Sequence, residues 1–278
     1  MSKLQVICIG EALIDKIINK SDSNFRNYLG GAPANVVCAL RKLEVPAAFI
    51  GCLGDDEYGR EFIRLFQQLN INIDFLQIAK QASTRIVKVM RDESGDRSFS
   101  GFEVTKSSSF ADEMLDKLLL NTNIKNLKKL FLNTKYIVTG TNLLAFSQSS
   151  DALYFILDFA KKFKIKIIID VNWREIFWEN SNIDKDAKLK KVKKFLHHAD
   201  ILKLANEEAY LFFNTSDPSE ISKVLIKQPD VIITNGAKPI NWYLNGIKGS
   251  NEVVKHTSKI VDTTGAGDAF LAGLISRY

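Results

Sequence analysis

The chain has 278 residues, 46% of them apolar and 25% charged, with a net charge of +6. That length can bury a large core without disulfide or zinc staples, and 15 Gly and 5 Pro are too few for a collagen-like or linker-dominated architecture. No stretch approaches the roughly 18 apolar residues of a spanning helix, and the N-terminus lacks the long apolar region of a signal peptide, so the expected location is cytoplasmic.

The elements follow a regular order. Leu4 to Ile9 is an apolar run ending at Gly10, which reads as a buried strand. Asn35 to Leu43 puts Val36, Ala39, Leu40 and Leu43 on one helical face. Ala47 to Ile50 reads as a second strand, and Glu57 to Leu69 as a second amphipathic helix. Thr84 to Phe102 breaks the rhythm. Val87, Val89 and Phe99 alternate with polar residues around a turn at residues 92–96, the pattern of a half-solvated hairpin. The alternation of strand and helix then resumes. Strands are predicted at Tyr136 to Thr139, Ile165 to Val171, Ile201 to Leu204 and Val231 to Thr234. Helices are predicted at Ser149 to Phe163, Lys185 to His197 and Glu207 to Phe213. A late hairpin is predicted from Trp242 to Leu244 and Val253 to Lys255. An apolar helix opens near Ala269. This is the pattern of a three-layer α/β sandwich with a mainly parallel central sheet. With no internal repeat or linker, the simplest organisation is one domain over residues 1–278 with a small β lid at about residues 84–105.

The positive charge does not read as a nucleic-acid surface. Lys185, Lys188, Lys190, Lys191, Lys193 and Lys194 alternate with Leu189, Val192 and Phe195 at helical spacing, as on a solvated helix face. The interleaved aromatics that stack bases are missing. Cys8, Cys38 and Cys52 sit in apolar contexts and read as buried free thiols. The three histidines have no metal-ligand spacing, and the Walker A, GxGxxG, GxSxG and HExxH patterns are absent.

Three segments can carry chemistry. In Asp262 to Phe270, Gly265, Ala266 and Gly267 precede a predicted helix, so small residues and unpaired helix-opening amides form an anion site suited to phosphate. Asp268 would repel a phosphate unless it takes a proton from an incoming hydroxyl; the alternative is a first-turn acid favoured by the helix dipole. In Gly30-Gly31-Ala32-Pro33-Ala34-Asn35, two glycines allow close ligand approach and Asn35 can bond sugar hydroxyls, or the segment is a tight junction into a helix. In Gly10 to Asp15, carboxylates follow a strand end, where α/β sheets bind ligands, or lie on the surface.

Two of these segments, the Gly30 to Asn35 run and the Asp262 to Phe270 run, in this order and at this separation, resemble the ribokinase family of carbohydrate and nucleoside kinases, also called pfkB-type kinases. The order of elements agrees from residue 4 onward. Within the family, the Gly10 to Asp15 run and Asp170-Val171-Asn172-Trp173-Arg174 with Trp178 look most like fructokinases; 2-keto-3-deoxygluconate kinase, ribokinase and nucleoside kinase are the alternatives, and a non-catalytic sugar-binding protein is the alternative from another class. The resemblance implies ATP-dependent phosphorylation of a sugar hydroxyl, with D-fructose to fructose 6-phosphate favoured. It implies Asp268 as the base and Gly265, Ala266 and Gly267 as the anion hole. It places Asp15, Gly30, Gly31, Asn35 and Arg174 at the sugar, and Thr234, Gly236, Gly265 and Gly267 at the nucleotide. Glu208 would serve Mg2+, and Asp262 and Thr264 a monovalent cation such as K+. It implies a homodimer through the lid, no nucleic acid and no membrane. Ala205 stands where the family often has asparagine, and Pro239 where glycine is common. The resemblance also implies further elements after the helix at Leu274, beyond Tyr278, that complete the adenine pocket.

Overall fold

The computed structural model describes residues 5–19, 25–91, 97–103, 109–179, 184–254 and 263–277. An eight-stranded sheet runs through the middle. Its strands are β1 (Gln5–Ile9), β4 (Ala47–Ile50), β9 (Thr134–Thr139), β10 (Lys166–Asp170), β11 (Ile201–Ala205), β12 (Asp230–Asn235), β13 (Lys238–Leu244) and β14 (Ile247–Asn251). The spatial order is β14-β13-β12-β11-β10-β9-β1-β4. Six strands from β12 to β4 are parallel, and β13 and β14 add an antiparallel edge.

Strand alternation explains why both faces are covered. Successive side chains of a strand point to opposite faces. In β1, Ile7 and Ile9 pack into one core cluster, while Val6 and Cys8 pack into the other. The first cluster takes Ala152, Leu153 and Ile156 from α5 (Ser147–Lys162), with Val192 and Phe195 from α6 (Lys185–Leu196) and Phe212 from α7 (Asn206–Phe213). The second takes Val36, Val37 and Leu40 from α1 (Ala32–Lys42) and Phe62 and Phe66 from α2 (Glu57–Gln68). It also takes Leu271, Ala272 and Ile275 from α9 (Ala266–Ile275). The architecture is thus the expected helix–sheet–helix sandwich with a mainly parallel sheet, plus a separate small sheet.

That small sheet is larger than the sequence suggests. The pair β7 (Ile86–Arg91) and β8 (Arg97–Phe102) forms the expected antiparallel hairpin, while residues 92–96 of its predicted turn lie outside the described residues. Two more strands join it, β2 (Leu13–Asn19) and β3 (Phe25–Gly30), in the order β3-β2-β7-β8. They escape the sequence reading for physical reasons. Residues Phe25, Arg26, Asn27 and Tyr28 of β3 are exposed, so the strand has no apolar face to read. Strand β2 pairs in parallel with β7, a non-local contact that local pattern does not reveal. A third pairing, β5 (Cys52–Gly54) with β6 (Gln77–Ala79), is also parallel and non-local.

Three further elements are helices that the sequence reading leaves unassigned, α3 (Lys117–Thr122), α4 (Ile124–Leu132) and α8 (Pro218–Val224). Only Leu120 of α3 is buried, so that helix shows almost no amphipathic period. The late hairpin is a correction of register. Strand β13 pairs Leu244 with Ile247 across Asn245-Gly246, whose φ values are 50° and 81°. A two-residue Asn-Gly loop with both φ positive is a favoured hairpin turn, so the return strand starts at Ile247 rather than Val253. Lys255, in the predicted return strand, lies outside the described residues. The lysine-rich helix α6 is mostly solvated as expected, but Lys191 is half-buried and donates to the Leu144 oxygen at 2.6 Å.

Candidate active site

The parallel strands all point their C-terminal ends to one side of the sheet, and a cavity of about 390 Å³ lies there. This is where open α/β sheets hold ligands, and the volume suits a small molecule. The cavity is bounded by Glu11 after β1, Asn142 after β9, Asp170 and Arg174 at and after β10, Lys203 and Ala205 of β11, and Thr234 of β12. Leu13, Asp15, Val87 and Val89 of the small sheet line another side. Gly31, Asn35, Thr264, Gly265, Gly267 and Asp268 complete it, so residues 233 positions apart in the chain face one space.

The opening of α9 is built as the sequence suggests. Gly265 has φ 73°, the left-handed region that favours glycine, and turns the chain into the helix. The Ala266 amide donates to the Thr263 oxygen at 3.1 Å, which closes that turn. The amides of Gly267 and Asp268 then open the helix, where no preceding helical carbonyl can accept from them. Their donors and the helix dipole favour an anion at this point.

Asp268 is fixed by a partner from the other end of the chain. Asn35 Nδ2 donates to Asp268 Oδ2 at 2.8 Å. Burial pushes the Asp268 carboxyl above its ordinary value, and the Asn35 hydrogen bond works the other way. Helix α1 carries Asn35 to this place because Gly31, with φ 97°, and Pro33 start it there. A Cβ on Gly31 would fall 2.6 Å from the Glu11 carbonyl oxygen, so only glycine lets the two loops approach this closely. A Cβ on Gly30 would fall 2.4 Å from Asp15 Oδ2; glycine leaves room for that carboxylate.

Of the sequence-predicted residues, Asp15, Gly31, Asn35, Arg174, Glu208, Thr234, Thr264, Gly265, Gly267 and Asp268 line the cavity. Gly30 and Ala266 adjoin it through Asp15 and Gly267. Gly236 stands apart, in the left-handed turn between β12 and β13 with φ 54°. Asp262 lies outside the described residues. Glu208 is buried, and both of its oxygens accept from backbone amides, Oε1 from Trp173 at 2.7 Å and Oε2 from Ala205 at 2.8 Å. It therefore ties the start of α7 to the segment after β10. Among the described residues, no group of three or more His, Cys, Asp or Glu side chains could hold a metal ion by itself.

Two polar residues of the cavity, Lys203 and Asn142, were not singled out from the sequence, and Asp170 was named only within the Asp170 to Arg174 run. Lys203 and Asp170, neighbours across β11 and β10, form a buried ion pair with Nζ–Oδ distances of 2.9 and 2.8 Å. The signal was present: a lysine inside the otherwise apolar Ile201-Leu202-Lys203-Leu204 strand must find a buried partner. Asn142 donates through Nδ2 to Glu11 Oε1 at 3.0 Å, and both residues are buried. Nothing in the local pattern around Asn142 marks it, because its role depends on β9 lying beside β1.

Burial raises the Glu11 carboxyl from 4.5 to about 7. An acid that is harder to ionise in the folded chain takes up a proton on folding between those values. Its contribution is full below about 4.5 and is lost as pH rises through about 7, by an amount on the order of 3 kcal/mol. Glu11→Gln, which has no such proton, is expected to lose this slope. Urea unfolding at pH 5 and pH 8 checks it: the difference in stability between variant and parent should grow in favour of the variant at pH 8, and parallel behaviour would refute the assignment.

The comparisons with known proteins agree with this geometry. A sequence model of the pfkB family of carbohydrate kinases matches residues 3–278. A probable fructokinase-5 of Arabidopsis thaliana is 29% identical over 97% of this chain and 81% of its own length. A fructokinase from Xylella fastidiosa, solved with bound ATP, superposes with a TM-score of 0.84 at 25% identity, covering 100% of this chain and 81% of that one. A double mutant of the Vibrio cholerae O395 fructokinase, solved with fructose, ADP and potassium ion, superposes with a TM-score of 0.79 at 25% identity, over 99% of this chain and 84% of that one. Family and fold thus converge with the glycine-opened helix and its buried aspartate, and the chain belongs to the pfkB family of carbohydrate kinases.

Proposed function

We propose that the chain transfers the γ-phosphoryl group of ATP to the 6-hydroxyl of D-fructose. The observation that carries this reading is the placement of Asp268, a buried carboxylate aligned by Asn35, at the opening amides of α9 in one cavity. A carboxylate beside an anion site is repulsive unless it serves an incoming hydroxyl. In the proposed reaction Asp268 accepts the proton of the sugar hydroxyl, the freed oxygen attacks the γ-phosphorus, and the bond to the ADP oxygen breaks. The amides of Gly267 and Asp268 stabilise the charge on the transferring oxygens, as preorganised donors do best. Asp15, Asn35 and Arg174 orient the sugar, with Gly30 and Gly31 making space. Thr234 and Gly236 stand on the nucleotide side.

Val87 and Val89 give the small sheet an apolar surface toward the cavity. In this reading that sheet acts as a lid, excluding water so that ATP is not hydrolysed. Its other face carries the exposed Phe25, which pairs in register with Ile18, and such a face is compatible with a second copy of the chain. Because the described residues form no three-ligand group of their own, a divalent ion would enter with the nucleotide. Mg2+ is usually held by substrate phosphates and waters with one or two carboxylates, and Glu208 is the carboxylate on that side. Mg2+ would neutralise phosphate charge. A monovalent cation at Asp262 and Thr264 belongs to the same reading.

Relatives named fructokinase, one of them solved twice with fructose and ADP bound, support the choice of sugar. A panel of sugars assayed with ATP and Mg2+, followed by ADP release, tests it. D-fructose is expected to give the highest kcat/KM. Higher kcat/KM with 2-keto-3-deoxygluconate, ribose or a nucleoside would reassign the substrate, and sugar binding without any turnover would favour a non-catalytic binding protein.

A further inference from the structure

We propose that Lys203 is a positioning residue for phosphoryl transfer, which neutralises Asp170 and so keeps Asp268 ionised at the opening turn of α9. The inference rests on the assignment of Asp268 as base. Lys203 comes from the middle of β11, and its ammonium is buried. Two of its bonds go to the two oxygens of Asp170, directly across on β10. The ammonium also reaches α9: a Cβ on Gly267 would lie 3.4 Å from Lys203 Nζ. The pair therefore sits immediately under the turn that presents Asp268.

The charges around Asp268 make this pair consequential. Helix α1 contributes only the neutral Asn35 amide. The segment after β1 contributes Glu11, β10 contributes Asp170, and the segment after β10 contributes Arg174. Strand β11 contributes Lys203, and Glu208 of α7 faces the lysine in turn. Asp268 is already held toward its neutral form by burial, with Asp170 adding repulsion and Lys203 opposing it. Removing the lysine would leave two carboxylates facing each other in a poorly solvated space, where like charges suppress ionisation. A protonated Asp268 cannot accept the hydroxyl proton.

A buried ion pair with only a structural role would make a different prediction from one that sets the charge of Asp268. The test uses Lys203→Met, Asp170→Asn and the double variant D170N/K203M. It has two readouts: the pH profile of kcat/KM with fructose and ATP, and the carboxyl carbon titration of Asp268 by NMR in the ligand-free chain, assigned with Asp268→Asn. K203M is expected to move the acidic limb and the carboxyl titration up by about one pH unit, a tenfold loss on that limb that recovers at higher pH. D170N is expected to move both down. The double variant, with neither charge, should return close to the parent. Lys203→Arg, which keeps the charge, should stay nearer the parent than K203M. Where K203M does not fold, the opposite shift in D170N and the near-parent double variant carry the test. Unshifted carboxyl titrations, or a K203M loss equal at every pH, would overturn the proposal. If the parent phosphorylates no sugar, the kinase reading fails, while the NMR titration still decides whether Lys203 sets the charge of Asp268.

Discussion

Asp268→Asn should lower kcat by roughly 10²–10⁴-fold, the usual cost of losing an acid–base group. The magnitude depends on what the carboxylate does in the resting structure. Its Oδ2 accepts from Asn35 Nδ2 at 2.8 Å, which fixes the side chain. An asparagine at 268 could keep that bond through its own carbonyl oxygen. Its amide nitrogen would then take the place of the second carboxylate oxygen and present donors where the sugar hydroxyl needs an acceptor. Sugar binding should survive, because the hydroxyl can accept as well as donate. The loss should therefore fall on kcat and kcat/KM alike, with KM nearly unchanged, as expected for an interaction made in the transition state. In the parent, burial raises the Asp268 carboxyl, so activity should fall as pH drops through that raised value and the base becomes protonated. The variant should lose this acidic limb. Turnover near that of the parent in a coupled ADP assay would remove Asp268 from the mechanism, whatever its position.

Why was Asp268 readable in the sequence when Lys203 was not? Asp268 is announced by its neighbours. Gly265 and Gly267 beside it have few roles other than a tight turn or close ligand approach, and both follow from backbone geometry that acts locally. The same holds for Gly30 and Gly31 before α1. The parallel sheet was also legible, because strands buried on both faces read as apolar runs such as Ile167-Ile168-Ile169. The remainder depends on pairings between distant segments. Lys203 matters because β10 lies beside β11, and Asn142 because β9 lies beside β1. Strand β3 is mostly exposed, and its place in the sheet depends on β2 as its partner. Local pattern thus encodes elements and turns, while the ion pairs and the small sheet belong to topology.

The same distinction applies to Arg85, whose loss should be strongly destabilising. It follows β6 and precedes β7, and it is 2% exposed. Its Nε and Nη2 donate to the two oxygens of Asp112 at 2.8 and 2.9 Å, and Nη2 also donates to Glu113 at 2.7 Å. The guanidinium carbon lies 4.1 Å from the Phe110 ring centre, 4.5 Å from Phe102, 4.9 Å from Phe177 and 5.1 Å from Phe146. Bidentate pairing combined with ring faces is a task for arginine rather than lysine. Arg85→Met would leave Asp112, itself 2% exposed, as an uncompensated buried carboxylate. Breaking such a pair from one side costs about 3–5 kcal/mol. That is a large part of the 5–15 kcal/mol that typically separates folded from unfolded chains, and it should lower Tm by roughly 10 °C. Urea unfolding checks the figure. Because the cost comes from the stranded charge, R85M/D112N should recover much of it, while Arg85→Lys should fall between parent and R85M. Phe177 and Val87 border both this cluster and the cavity, and the Arg85 oxygen accepts from the Ile14 amide at 2.8 Å. R85M should therefore also raise the sugar KM while leaving the acidic limb of the pH profile in place. A loss of under about 1 kcal/mol, the range of an exposed pair, would show that Asp112 finds other partners when the guanidinium is gone.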